Sequence, residues 1–388
     1  MPKPRKTALA WRNLTHDARR FAVSLAGITF AAVLIFMEYG FWNALLDSTT
    51  VLIEAMDSDL FVLSKSRYTI VAPAGFNRRC LDQALAYPGV ASAVPFYIEG
   101  NVSVLRDARG GKGRKVRVLA FDPDQPALRI PGVMARLEEL KEPDTAIIDG
   151  QTRGVDPARL SAMEPRLMGR ALRLVGSFRL GVDFVVEGNL VMSDRNFLKF
   201  YADRRQPRPE LRRADLGLIR LKPGAELGPT LAGLRSTLPD DVVVLSRDDL
   251  VAREKWFWQR RSPIGYVFGL GMAMGFVVGV MICYQILSSG ISSHLAEYAT
   301  LKAMGYGRRH LVGFVLQESL ILALVGFVPG LAASVALYGW LAALTGLPMR
   351  LTAGRVALVF VFVVAMCLTS GLIAVRKLFA ADPAELFK

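Results

Sequence analysis

Hydrophobic positions in this chain are gathered into blocks. Four long apolar stretches, 21–45, 264–287, 311–344 and 356–375, are separated by polar sequence. Each is long enough for an α-helix to cross a hydrocarbon layer about 30 Å thick. Between the first two blocks the pattern becomes that of a soluble protein. A helical pattern over 51–60 extends the first span. A strand at 60–63, a short helix at 79–86 and a strand-rich stretch at 90–105 follow. Towards the other end, 216–221 reads as a strand, Lys222-Pro223-Gly224 as a turn, 227–238 as a helix and 242–245 as a strand. Two such β-α-β units side by side make a split βαβ sheet with helices on one face. The β-rich segments 115–121, 146–148 and 172–192 predict a second lobe, with charged, exposed loops at 108–114 and 199–213.

The expected fold is therefore an α-helical membrane protein with four transmembrane helices, arranged one plus three, and a large α+β extracytoplasmic domain inserted between the first and second. The expected boundaries are an interfacial helix at 1–20, spans at 21–45, 263–287, 311–344 and 356–375, and the two-lobed domain at 46–262. A cytoplasmic loop at 288–310, an outer turn at 345–355 and a cytoplasmic tail at 376–388 complete the chain. The apolar run of the first span exceeds a signal-peptide core and no small-x-small site follows it, so it reads as a permanent anchor.

Charge sets the orientation. Of the net +14, Lys3, Arg5, Lys6, Arg12, Arg19 and Arg20 precede the first span, Lys302, Arg308 and Arg309 lie between the second and third, and Arg376 and Lys377 follow the fourth. Positive charge collects on the cytoplasmic side, which places both termini in the cytoplasm. Arg253, Lys255, Arg260 and Arg261 crowd the outer end of the second span, but long loops translocate largely regardless of charge. No basic stripe with interleaved aromatics points to nucleic acid.

Candidate chemistry is sparse. His16, His294 and His310 are scattered, and Cys80 stands alone in the inserted domain, while Cys283 and Cys367 fall inside spans. No catalytic residue, metal site or bound cofactor is expected, and an inserted domain without histidine offers no Ser-His chemistry. Trp11, Leu14, Ala18 and Phe21 lie on one helical face, consistent with a helix in the inner interface or with a plain extension of the first span. Glu38 sits near the outer end of that span, where it serves transport or simply reaches the interface. Trp256, Phe257 and Trp258 read as an aromatic anchor outside the second span.

Gly271, Gly275 and Gly279 form consecutive small-xxx-small steps and predict a helix-packing face. Pro329-Gly330 is expected to kink or interrupt the third span. In the cytoplasmic loop, Ile291, Leu295, Tyr298, Leu301 and Met304 recur at helical spacing, and Gly305 is placed to end the helix. Periodicity alone leaves two uses for it, lying on the membrane or docking into a partner.

Glu297-Tyr298-Ala299-Thr300-Leu301-Lys302-Ala303-Met304-Gly305 resembles the loop segment of FtsX-like ABC permeases, and the one-plus-three architecture and the Asp382-Pro383-Ala384-Glu385-Leu386-Phe387 tail are similar to that superfamily. Leu9-Ala10-Trp11-Arg12-Asn13-Leu14-Thr15-His16, Ala26-Gly27-Ile28-Thr29-Phe30-Ala31 and Leu34-Ile35-Phe36-Met37 resemble its DevC branch, the heterocyst-glycolipid exporter type related to MacB- and LolC-type permeases. Glu38-Tyr39 and Trp42-Asn43 depart from the branch pattern, which implies a different cargo.

The resemblance implies a permease of the bacterial inner membrane that pairs with a second copy and relays force. Its coupling helix, from His294 and Glu297 to Gly305, would rest on a cytoplasmic ABC ATPase. This sequence has no GxxxxGK[ST] phosphate loop, so ATP would be bound by that partner. The inserted domain would grip a periplasmic membrane-fusion adaptor leading to an outer-membrane channel, with a lipid, glycolipid or other amphiphile as cargo. A regulatory role, transmitting ATPase movement to a periplasmic partner without transport, is the alternative.

Overall fold

The computed structural model describes residues 18–107, 112–156, 164–205, 213–293, 300, 304 and 307–380. These divide into two compact units. One holds the described residues up to Asn43, Pro263–Leu341 and the described residues from Met349 on; the other is Ala44–Ser262 with Ala342–Pro348.

Helix α1 (Ala18–Ala55) leads into the inserted domain. There follow β1 (Leu60–Ser64), β2 (Phe76–Asn77), α2 (Arg79–Leu85), β3 (Val90–Glu99), β4 (Val104–Asp107) and β5 (Arg114–Phe121). Two single turns, α3 (Pro131–Met134) and α4 (Leu137–Leu140), precede β6 (Thr145–Asp149), β7 (Pro165–Leu167), β8 (Arg170–Ala171), β9 (Arg173–Phe178) and β10 (Gly188–Ser193). After α5 (Asp194–Arg205) come β11 (Arg213–Ala214), β12 (Leu216–Leu221), α6 (Leu227–Thr237), β13 (Val242–Ser246) and α7 (Arg247–Arg260). The chain ends with α8 (Pro263–Ser293), α9 (Arg308–Thr345) and α10 (Ala353–Ala380).

The main sheet runs β13-β1-β12-β3-β5-β10-β6-β9. Its first four strands are the split βαβ arrangement expected from sequence: α2 links β1 to β3, α6 links β12 to β13, and β12 lies antiparallel between β1 and β3. The long β3 then changes partner. Phe96 pairs with Leu216 of β12, and the next residue, Tyr97, pairs with Ala120 of β5. The two lobes expected from sequence therefore share one sheet.

Alternation along the strands buries both faces. On β1, Phe61 and Leu63 enter the core that holds Phe96, Phe121, Leu218 and Leu250. Leu60 and Val62 point the other way, towards Leu81 of α2 and Leu234 of α6. Burying one such side chain contributes about 1.5–3 kcal/mol, and β1 buries four in a row, Leu60 to Leu63.

Two sequence expectations change here. The exposed loop expected at 199–213 is helical as far as Arg205. Phe197, Phe200 and Tyr201 place an apolar stripe on that helix and hold it on the sheet, while its charges had suggested a loop. The aromatic anchor before the second span is also divided. Trp256 is exposed, but Trp258 is buried within the inserted domain. The reason is that α7 is a separate helix, started by a capping box between Ser246 and Asp249.

Among the described residues, four helical segments are long and apolar enough to cross a membrane: Phe21–Ala55, Pro263–Ser293, Leu311–Thr345 and Ala353–Arg376. Buried Ser319, Ser334 and Ser370 donate to Val315 O, Gly330 O and Met366 O of their own helices, so none of these hydroxyls is stranded in an apolar setting. Helix α9 is not interrupted at Pro329-Gly330; it runs on from Arg308 to Thr345. Proline removes one donor, and the neighbouring helix packs closely there.

Candidate functional site

Three places carry the residues singled out from sequence. In the segment expected from sequence to couple to a partner, Thr300 and Met304 are described: Met304 N donates to Thr300 O at 3.0 Å and Met304 is 63% exposed. His294, Glu297, Tyr298, Ala299, Leu301, Lys302, Ala303 and Gly305 lie outside the described residues.

In the helical unit, Gly271, Gly275 and Gly279 lie along α8 against Glu38, Leu34 and Ala31 of α1, with Met366 of α10 also over Gly279. A Cβ built on Gly275 would lie 3.0 Å from Leu34 Cδ2, and one on Gly271 would strike the Glu38 carboxylate. Glu38 thus occupies the space that Gly271 leaves, a relation invisible in the sequence. On α9, Gly326 and Gly330 receive Ile28 and Ala32 of α1 in the same manner. Small residues allow such close approach, and van der Waals packing is the main attraction available between helices in lipid. Tyr338 of α9 adds a hydroxyl donated to Phe36 O. Cys283 and Cys367 meet at 3.7 Å between their sulfurs.

The third place is a polar cluster in the inserted domain. Arg247, the first residue of α7, donates to Ile53 O at 2.6 Å, Met56 O at 3.0 Å and Ser58 O, so it closes the C-terminal end of α1. A cation there also meets the negative end of the helix dipole. Arg67 is wholly buried: it pairs with Asp215 at 2.9 Å and donates to Ile70 O, Ala74 O and Asp215 O. Asp215 Oδ2 accepts from Ile98 N, which ties the pair to β3.

Beside it, Glu254 of α7 accepts from Ile70 N at 3.1 Å and from the Trp258 indole at 2.9 Å. Burial pushes the Glu254 carboxyl up to about 7, against the opposing pull of those two hydrogen bonds and of Arg117 and Arg253. Sequence reasoning passed over Arg67, Asp215, Arg247 and Glu254, because their partners lie far away along the chain. The Ser246-x-x-Asp249 spacing was the available signal that a new helix begins before Arg247.

Among the described residues, no three His, Cys, Asp or Glu side chains are grouped to hold a metal. The site's parts are helix contacts and helix ends, suited to holding or relaying position.

A search of the curated proteins finds no match. Among solved structures, the chain is similar to the periplasmic region of MacB from Actinobacillus actinomycetemcomitans, at 9% identity and a TM-score of 0.34, covering 50% of this chain and 91% of that one. It is also similar to the extracellular domain of the noncanonic ABC-type transporter YknZ from Gram-positive bacteria, at 10% identity and a TM-score of 0.33, covering 49% of this chain and 99% of that one. Residues 269–383 match the FtsX-like permease C-terminal family, a range that takes in most of α8, all of α9 and α10, and the segment between α8 and α9. This multi-pass membrane protein is thus similar, over residues 269–383, to the FtsX-like permease C-terminal family.

Proposed function

We propose that the chain is the membrane subunit of an ABC-type exporter of the DevC branch, relaying force from a separate cytoplasmic ATPase to its inserted domain. The observation that carries this reading is the FtsX-like match over 269–383, which encloses the Glu297–Gly305 segment whose sequence first suggested a coupling helix. Two copies pair in the bacterial inner membrane with both termini in the cytoplasm. ATP is bound by the ATPase, whose closure moves the two coupling helices together. The inserted domain engages a periplasmic adaptor joined to an outer-membrane channel, and a lipid, glycolipid or other amphiphile leaves by that route.

Two features support a relay. Helix α1 is unbroken from Ala18 to Ala55, and α7 is separated from α8 by only Arg261 and Ser262. A relay requires elements with two arrangements that both ends can bias.

The test uses the chain reconstituted in lipid nanodiscs with a cytoplasmic ABC ATPase from the same organism that copurifies with it. Leu301→Asp is expected to insert normally and to abolish stimulation of ATP hydrolysis. Undiminished stimulation would overturn the reading. Stimulated hydrolysis with no movement of amphiphile, in the presence of the adaptor, would assign the chain to a regulatory role.

A further inference from the structure

Glu38 brings a carboxyl group into the helical unit without a counter-charge. It makes no hydrogen bond or ion pair with another described residue. The blocks 21–45, 264–287, 311–344 and 356–375 contain no lysine, arginine or histidine, so a second copy pairing through these spans supplies no cation either. Arg355, just before the last block, donates to Arg350 O at 3.0 Å. The Glu38 carboxylate lies over Gly271 of α8, with Oε1 3.2 Å from where a Cβ of that glycine would stand. One turn further along α1, the Trp42 ring rests on Gly269 of α8, its Cζ3 3.3 Å from the corresponding position. Side chains four apart on a helix are neighbours on one face. All four residues belong to the same compact unit. Glu38 and Trp42 are half-buried and Leu270, between the two glycines, is exposed, so lipid reaches this contact.

We propose that Glu38 and Trp42 together bind the primary ammonium of a phospholipid headgroup of the phosphatidylethanolamine kind. Glu38 stands about 26 Å along α1 from Phe21, a depth at which headgroups meet hydrocarbon. An uncompensated carboxylate there is costly. An ammonium presents three N–H donors to its two oxygens, and such charge-assisted bonds are stronger than neutral ones. The indole face attracts the same cation through its ring quadrupole. A hard metal cation fits poorly, because calcium takes six to eight oxygen ligands and one carboxylate offers two. Gly271 keeps the place open, since any side chain there would collide with the carboxylate. The site is a property of the helical unit, whether the chain exports amphiphiles or only transmits movement.

The experiment is native mass spectrometry of the full chain in detergent, titrated with phosphatidylethanolamine and with its N-acetyl derivative. The derivative keeps the phosphate and both acyl chains but has no ammonium. The parent lipid is expected to bind about tenfold more tightly. Glu38→Gln should bring the two lipids to equal affinity, and Trp42→Leu should narrow the difference. Equal binding of both lipids by the native chain, or an undiminished preference in Glu38→Gln, overturns the proposal. Should the glutamine variant fail to fold, the native chain gives a second readout. In phosphatidylethanolamine nanodiscs, a lipid-soluble carbodiimide activates the Glu38 carboxyl, and a seated amine displaces the urea to form an amide. A peptide spanning Glu38 should then carry the mass of the headgroup. An N-acylurea at Glu38 without the amide overturns the proposal.

Discussion

The guanidinium of Arg247 reaches the carbonyl of Met56, 3.0 Å away, across 191 positions of sequence. With the neighbouring bond to Ile53 O it joins the last turn of α1 to the first residue of α7. One side chain thereby holds the exit of one membrane-entering helix against the start of the helix that precedes the next.

Arg247→Ala should lower the stability of the chain by about 2 kcal/mol, the range for charged hydrogen bonds lost to partly buried carbonyls. Thermal unfolding of the purified chain checks this. Arg247→Lys should recover only part of the loss, because a single ammonium does not span Ile53 O, Met56 O and Ser58 O as the fork does.

Removing one partner of the buried Arg67–Asp215 pair should be far worse than removing both. Asp215→Ala leaves a wholly buried cation and is expected to cost about 3–5 kcal/mol. Arg67→Met combined with Asp215→Leu should be milder than that. Denaturant unfolding of the three chains decides it, and equal losses for the single and double variants would contradict the pairing.

At the α1–α8 contact, Gly275→Leu should destabilise by about 2 kcal/mol through overpacking against Leu34. Leu34→Ala in the same chain should restore part of this. A double-mutant cycle with no coupling would place the two residues apart.

Cys80 is buried, and burial together with the nearby Asp241 pushes its thiol up, so little thiolate exists at pH 8. It should resist maleimide until the protein is unfolded. Asp240 has a fully exposed side chain, and Asp240→Cys should react with an impermeant maleimide added outside intact cells. Reaction only after permeabilisation would reverse the assigned sidedness.

Much of the fold was legible because its signals are local. The apolar blocks gave the spans, and the short apolar runs at 60–63, 216–221 and 242–245, with the helical patterns near them, gave the split βαβ half. What stayed hidden depends on contacts distant in sequence. Phe197, Phe200 and Tyr201 sit among charges that mask their helical stripe, and Trp258 shares a run of aromatics with the exposed Trp256 although it turns inward. The Gly271 relation to Glu38 joins two helices more than two hundred residues apart, and no periodicity in either one reveals the partner. The polar cluster around Arg67 is likewise assembled only by folding.

The short stretch Ala342–Pro348 belongs to the inserted domain although in sequence it is the last four residues of α9 and the first three of the link to α10. Arg153 donates to Thr345 O at 3.0 Å, Leu347 is buried, and Gly346, at φ +70, sits beside Val182. Anyone excising 46–262 as a free fragment would therefore leave a raw spot around Arg153 and Val182. Supplying the missing heptapeptide, tethered or in trans, would be the way to heal it.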